Sequence, residues 1–213
     1  MDARNDAVGS LQDYFVFHVM MECKGRGRVV NLDNLERLLT PGHLSLRPRG
    51  DGFPPLREMP RLVYDAQAGD PPRDLEGGFS GYWLVSQRLR QVLLEVDPQA
   101  CVFVECDYRM ADGSPGPRRF LCDVVQERDA LDEQASTLEI ETGPQFSSGR
   151  FYDVVGGSRL VFRPERLAGA HLFLTPHSYF VFCDRILRDA IAHAGMDVER
   201  GRDGLGFLDV CDL

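Results

Sequence analysis

The chain has 213 residues, 43% of them hydrophobic and 27% charged, with 33 acidic against 24 basic residues and a formal net charge of −9. A chain of this size forms one large domain or two small ones and buries roughly 70% of its unfolded surface, so its core needs no disulfide or metal staple. The acidic balance argues against nonspecific nucleic-acid binding, which depends on lysine and arginine displacing counterions, and no apolar run reaches the ~18 residues of a membrane span.

The six cysteines, at 23, 101, 106, 122, 183 and 211, include no CxxC pair, and no histidine pair has zinc-finger spacing. They read as reduced, buried thiols, and neither a metal nor another cofactor is expected. The first residues lack the basic start and cleavage site of a secretory signal, so the protein is read as cytoplasmic. Lys24 is the sole lysine, a bias that fits a GC-rich genome.

Residues 1–13 are polar. YFVFHVMM (14–21) is aromatic and β-branched and predicts a strand. KGRGR (24–28) is a turn, too isolated in an acidic chain to argue for nucleic acid. Leu35, Leu38 and Leu39 have helical spacing, with Asn31 or Asp33 as N-cap and Pro41 beyond the end. Residues 40–80 hold seven of the thirteen prolines. They predict an irregular arm lying over the core, anchored by Phe53, Leu56, Met59, Leu62 and Tyr64.

YWLV (82–85) predicts a buried strand. Ser86 is a good N-cap, and Leu89, Val92, Leu93 and Val96 mark one helical face, ended by Pro98. CVFVECDY (101–108), the turn ADGSPG (111–116) and RRFLCDVV (118–125) predict a hairpin. RDALDEQAS (128–136) predicts a short helical turn beginning near Asp129, and TLEIE (137–141) a strand. FYDVV (151–155) and RLVFR (159–163), separated by two glycines, predict a second hairpin. HLFL (171–174) is short and apolar. YFVF (179–182) then leads into a helix with Ile186, Leu187, Ala190, Ile191 and Ala194 on one face and Gly195 as C′ residue. FLDV (207–210) is the last strand.

The phrase at 81–96 is thus written again at 178–195, with Tyr82 over Tyr179, Trp83 over Phe180, Arg88 over Arg185, Leu89 over Ile186 and Leu94 over Ile191. Two accounts stand: a duplicated strand–helix–strand unit, or common strand–cap–helix grammar arising twice. At the cap, Ser86 is replaced by Cys183, with Asp184 able to take over. The predicted fold is α+β: mainly antiparallel sheet with short packed helices and an irregular proline-rich arm. It is read as one domain over residues 1–213, with an N-terminal part (1–80) and a core (81–213).

Three constellations bear on chemistry. Cys183, Asp184, His171 and His177 lie close in sequence, and a thiol nucleophile needs a neighbouring imidazole. No elbow or oxyanion loop surrounds the cysteine, and a buried thiol is the better reading. GGFSG (77–81) is glycine-rich but precedes a strand, whereas phosphate cradles open a helix, so it reads as a turn. Asp107, Asp112, Asp123, Asp129, Asp132 and Glu133 crowd the predicted hairpin and its exit. They lack the histidines or tight DxD spacing of a metal or acid/base site, which favours a solvated acidic face or a partner surface.

The series FPPLREMPRLVYD (53–65), PPRDLEGGFSGYWLVSQRL (71–89), DYRMADGSPGPRRFLCDVVQERDALDEQAS (107–136), FYDVVGGSRLVFR (151–163), AHLFLTPHS (170–178) and CDRILRDAIAHAGM (183–196) resembles a bacterial family classed among the immunity proteins of polymorphic toxin systems, formerly a domain of unknown function. The match covers nearly the whole chain after about residue 14. The matching positions, Trp83–Ser86, Asp129–Asp132 and Tyr179–Ile191, look like framework rather than active site. Cys183, where many relatives would have serine, departs from the pattern at the cap alone.

The resemblance implies a cytoplasmic, non-enzymatic protein that binds and neutralises a cognate secreted toxin encoded by an adjacent gene. Such immunity requires only a tight interface of ~1,200–2,000 Å², and a net acidic protein would be steered onto a basic toxin. Glu105, Asp107, Asp112, Glu127, Asp129, Asp132 and Glu133 are the candidate partner-binding residues; no catalytic, metal or cofactor residues are assigned. Two alternatives stay open: a small hydrolase using Cys183 with His171 or His177, and a housekeeping interaction module with no toxin.

Overall fold

Short apolar runs become strands here, and both longer helices start where a strand ends on a capping side chain. The computed structural model describes residues 14–20, 29–38, 52–154 and 156–213; the predicted KGRGR turn, Leu39 and Pro41 lie outside them. In chain order the elements are β1 (Tyr14–Val19), β2 (Val30–Leu32), α1 (Leu35–Leu38), β3 (Arg61–Tyr64), β4 (Leu75–Phe79), β5 (Tyr82–Ser86), α2 (Gln87–Val96), β6 (Cys101–Arg109), β7 (Arg119–Val124), β8 (Glu139–Thr142), β9 (Arg150–Asp153), α3 (Pro164–Leu167), β10 (Leu172–Leu174), β11 (Val181–Asp184), α4 (Arg185–His193) and β12 (Leu205–Asp209). They form a six-stranded sheet, β2-β3-β6-β7-β5-β4, a four-stranded sheet, β10-β11-β1-β12, and a two-stranded ribbon, β8-β9. Among these ladders only β3 and β6 run parallel. The architecture is α+β, mainly antiparallel, as the sequence predicts.

The repeated phrase has a repeated geometry, one residue out of register with the overlay of aromatic letters. In one sheet β7 lies between β5 and β6, with Val85 opposite Phe120 and Glu105 opposite Phe120. In the other β1 lies between β11 and β12, with Cys183 opposite Phe15 and Asp209 opposite Phe15. Strand pairing therefore sets Val85 on Cys183, Ser86 on Asp184, Leu89 on Leu187 and Leu93 on Ile191. The outer strands follow the same rule, with Leu75 opposite Val85 and Leu172 opposite Cys183. The overlay misses by one because it aligns aromatic residues, whereas the caps fix the register. Ile186, predicted on the buried face, is accordingly 54% exposed.

The correspondence extends to side chains. The Arg90 guanidinium of α2 lies over Phe103 and Phe120, at 5.3 and 4.7 Å from the ring centroids. Arg188 of α4 lies over Phe207 and Phe15, at 5.9 and 5.2 Å. Each helix is thus pinned to two strands of its own sheet by a cation on aromatic faces. The cap Ser86 accepts from Leu89 N and donates to Asp74; the cap Asp184 accepts from Leu187 N and from His171 Nδ1 at 2.7 Å. Asp184 thus takes the role that Cys183 cannot. α2 and α4 pack on each other. One cluster, including Leu89, Leu93, Leu187, Ile191, Phe120 and Cys183, fills the space between helices and sheets. The outer face of each sheet carries a cluster of its own.

Asp97 locks the two sheets together. It follows α2, is 8% exposed, and its Oδ2 accepts from His171 N at 2.8 Å, Leu172 N at 3.2 Å and Gln126 Nε2 at 2.7 Å. The reciprocal link runs from Leu75 N to Asp203 O, beyond α4. Gly204, next in the chain, has φ +84°, and a Cβ there would fall onto the Leu75 carbonyl.

Several local expectations are corrected. The proline-rich arm supplies β3 and β4. Leu62 and Tyr64 are buried as predicted, and Phe53 stacks on Tyr82 with centroids 4.3 Å apart, but Met59 is 53% exposed. α1 starts after Asn34, not Asn31 or Asp33. The Asn34 carbonyl accepts from Arg37 N and Leu38 N, while its side chain bridges Met59 O and Arg61 N. Within GGFSG, Gly77–Phe79 belong to a bulged β4, and the turn is Ser80–Gly81, with φ of 56° and 95°, the positive pair a tight hairpin requires. The predicted hairpin of 151–155 with 159–163 does not form. β9 pairs with β8, and Arg159 and Phe162 bridge to Thr137 and Leu131.

Asp97→Ala removes the acceptor for three donors and is expected to cost about 3 kcal/mol or more. Ser86→Ala loses one cap, about 1 kcal/mol. Urea unfolding followed by circular dichroism should show the larger midpoint shift for Asp97→Ala.

Candidate functional site

After β7 the chain crosses toward the four-stranded sheet and rises into the β8-β9 ribbon. Gln126, held by Asp97, also donates to Leu172 O, and its Oε1 accepts from Arg128. Asp132 then closes a single turn, accepting from Gln134 N and Ala135 N, and is gripped by Arg163 through two bonds of 3.0 Å. Those bonds hold its carboxyl down at about 2. The ribbon pairs Glu139 with Asp153, Ile140 with Tyr152, Glu141 with Phe151 and Thr142 with Arg150. Side chains alternate across a strand, so Tyr152 turns inward, where it is buried. Glu139, Glu141, Phe151 and Asp153 share the opposite face. All four residues of β8 are exposed.

A pocket of about 650 Å³ opens between the ribbon tip and the 176–179 loop, lined among others by Pro144, Phe146, Ser148, Phe151, His177 and Tyr179. Phe146 stacks on Phe151, centroids 5.5 Å apart, and Phe151 meets Tyr179 at 5.3 Å. Tyr179 is 88% exposed. Beneath these rings, Arg150 Nε donates to His177 Nε2 at 3.1 Å, which places the imidazole proton on Nδ1, facing Ser148 Oγ at 2.7 Å. The serine hydroxyl in turn donates to Arg150 O at 2.9 Å. Glu133 Oε1 receives both Arg150 Nη1 at 2.6 Å and Tyr152 OH at 2.5 Å. Burial, then the Arg150 charge, lowers the His177 pKa; burial, then the Glu133 carboxylate, raises that of Tyr152.

This arrangement holds a surface in place and does not activate a nucleophile. Both His177 nitrogens are committed, and the serine hydroxyl points its proton at a carbonyl, so His177 is not placed to take it. Cys183 is 0% exposed in the core, and burial lifts its thiol pKa well above the usual range. His171 bonds to Asp184, which points to the other side of the strand. The proposed Cys183 pairing with His171 or His177 is therefore not assembled. Among the described residues no group of three or more His, Cys, Asp or Glu side chains is arranged to hold a metal ion, and no helix is long and apolar enough to cross a membrane.

The acidic residues singled out in the sequence fall in two separate places. On the β6-β7 hairpin, Glu105 is bonded to Arg118 at 2.7 and 3.0 Å, Asp107 lies between Arg109 and Arg61, and Asp112 closes its own turn on Ser114. On the crossing segment, Glu127 is exposed, Asp129 faces Arg166 at 3.9 Å and Asp132 holds Arg163. Glu133 reaches the pocket network. Most of this predicted acidic face is thus neutralised by arginine. Phe146, Phe151, Tyr179, Glu139 and Glu141, which shape the ribbon surface, carry no site motif in the sequence. A phenylalanine inside the small-residue stretch GPQFSSG was the available signal. The strand expected from Tyr179 begins instead at Val181.

Residues 13–212 match the Immunity protein family (Imm11), and the chain belongs to that family. No curated protein matches the sequence.

Native protein treated with iodoacetamide should be labelled at the exposed Cys211 and spared at Cys101, Cys106, Cys122 and Cys183 until denatured, as read by peptide mass spectrometry. His177 should titrate by NMR below the usual 6.5. Its proton then binds the unfolded chain first, so its share of stability is present above about pH 6.5 and lost as pH falls through the native value. His177→Gln should flatten that part of the pH profile.

Proposed function

We propose that this protein acts in the bacterial cytoplasm as a non-catalytic immunity protein, binding a cognate toxin encoded beside it and blocking the toxin's action. The observation that carries this reading is family membership over residues 13–212. Two features of the molecule support it. The candidate nucleophile is sealed in the core, and the polar groups around the pocket are spent on one another. Meanwhile the stable frame, two sheets clamped through α2 and α4, presents a separate exposed ribbon. Binding alone is sufficient for immunity, since an interface of ~1,200–2,000 Å² can hold a toxin tightly. A net charge of −9 favours a basic toxin, whose approach it would accelerate.

Expressing the neighbouring gene in the cytoplasm should arrest growth, and co-expression of this chain should restore it and yield a stable complex on co-purification. Cys183→Ala should rescue as well as the parent chain does. Rescue without any complex, abolished by Cys183→Ala, would instead support enzymatic detoxification.

A further inference from the structure

The outward face of the ribbon sets unpaired carboxylates beside aromatic rings, whereas most of the candidate acidic residues, Asp112 and Glu127 excepted, are held by arginine. Glu105, Asp107, Asp129, Asp132 and Glu133 each have an arginine partner. Glu139 and Glu141, exposed on β8, have no ion-pair partner among the described residues. They share a face with Asp153 and with Phe151, which supports Tyr179. Unpaired carboxylates beside exposed aromatic faces form a receptor for a cation: the rings attract it through their π-faces, and the carboxylates supply charge and hydrogen-bond acceptors.

We propose that this face is the docking surface for the toxin, and that it captures an arginine or lysine side chain of the toxin between Tyr179, Phe151 and Glu141. The inference rests on the binding reading above and adds where the partner docks and what chemistry it presents. Tyr179, 88% exposed and propped by Phe151 and Phe146, is the kind of pre-ordered aromatic that anchors interfaces at low entropic cost. The floor is already neutral and rigid, because Glu133 compensates Arg150 at 2.6 Å and His177 is bonded at both nitrogens. The pocket therefore presents no uncompensated positive charge to repel a cation. The net charge of −9 brings a basic partner toward the protein, and this face gives it a specific seat.

The test is the affinity of the purified chain for the co-encoded toxin domain, measured by calorimetry at two salt concentrations. Four variants are compared: Tyr179→Ala, Glu141→Lys, Glu105→Lys on the other acidic patch, and Ile186→Ala on α4. Melting temperatures confirm that each is folded. Tyr179→Ala and Glu141→Lys should each weaken binding about tenfold or more, with a shallower salt dependence for Glu141→Lys, while Glu105→Lys and Ile186→Ala bind as the parent does. A parent complex unaffected by Tyr179→Ala and Glu141→Lys would overturn the surface and leave the binding reading intact. No parent complex with a demonstrably toxic neighbour would overturn both. Self-association of the chain, abolished by Tyr179→Ala, would assign the face to a second copy and overturn the toxin-docking proposal.

Discussion

One carboxylate oxygen holds the two halves of this fold together. Asp97 ends the helix of the six-stranded sheet, yet its Oδ2 is bonded to the first strand of the other sheet and to Gln126 on the segment that leads to the ribbon. A nearly buried carboxylate is costly to desolvate, and here three donors satisfy it. Both sheets and the crossing segment thus meet at the same atom. The reverse link, from Leu75 to Asp203, uses backbone alone and carries no charge.

Around that junction the molecule repeats itself. Each four-stranded unit has a capping side chain bonded to the residue before its outer strand, a helix, and an arginine lying over two phenylalanines. The strand between the helix's two flanking strands differs in origin: β7 follows in sequence in one unit, while in the other it is β1, from the start of the described chain. The frame is therefore closed by contacts far apart in sequence, and a chain organised this way can vary its appendages without disturbing its core. The six-stranded sheet carries β2 and β3 as extras; the four-stranded sheet carries the ribbon.

Most of the frame was legible in the sequence. Strand and helix runs, the Ser86 cap, Gly195 as C′ residue and the β6-β7 turn all follow from local chemistry. Register was less legible, because the echo of aromatic residues sets Tyr82 on Tyr179 while the caps set Ser86 on Asp184. The ribbon was the least legible part. FYDVV and RLVFR look like a hairpin, but the packing of Leu160 and Phe162 onto the four-stranded sheet and the bridges of Arg159 and Phe162 to Thr137 and Leu131 draw them apart. The acidic residues are plain in the sequence but their arginine partners are not: Arg109 and Arg118 lie on the same hairpin as Asp107 and Glu105, while Arg163 and Arg166 reach Asp132 and Asp129 from a distant segment. Arginine neutralises Asp132 and Glu105 at the surface, while Glu139 and Glu141, in a stretch that reads only as an alternating strand, have no ion-pair partner among the described residues.

In the proposed complex a stable frame presents the β8-β9 ribbon to the toxin. Hydrogen exchange of the chain, free and bound to the co-encoded toxin domain, tests it most directly. New protection is expected at residues 139–151 and 176–180, with exchange in α2, α4 and the six-stranded sheet unchanged. Protection gained instead across the β6-β7 hairpin or the exposed side of α4, with the ribbon unaltered, would contradict it.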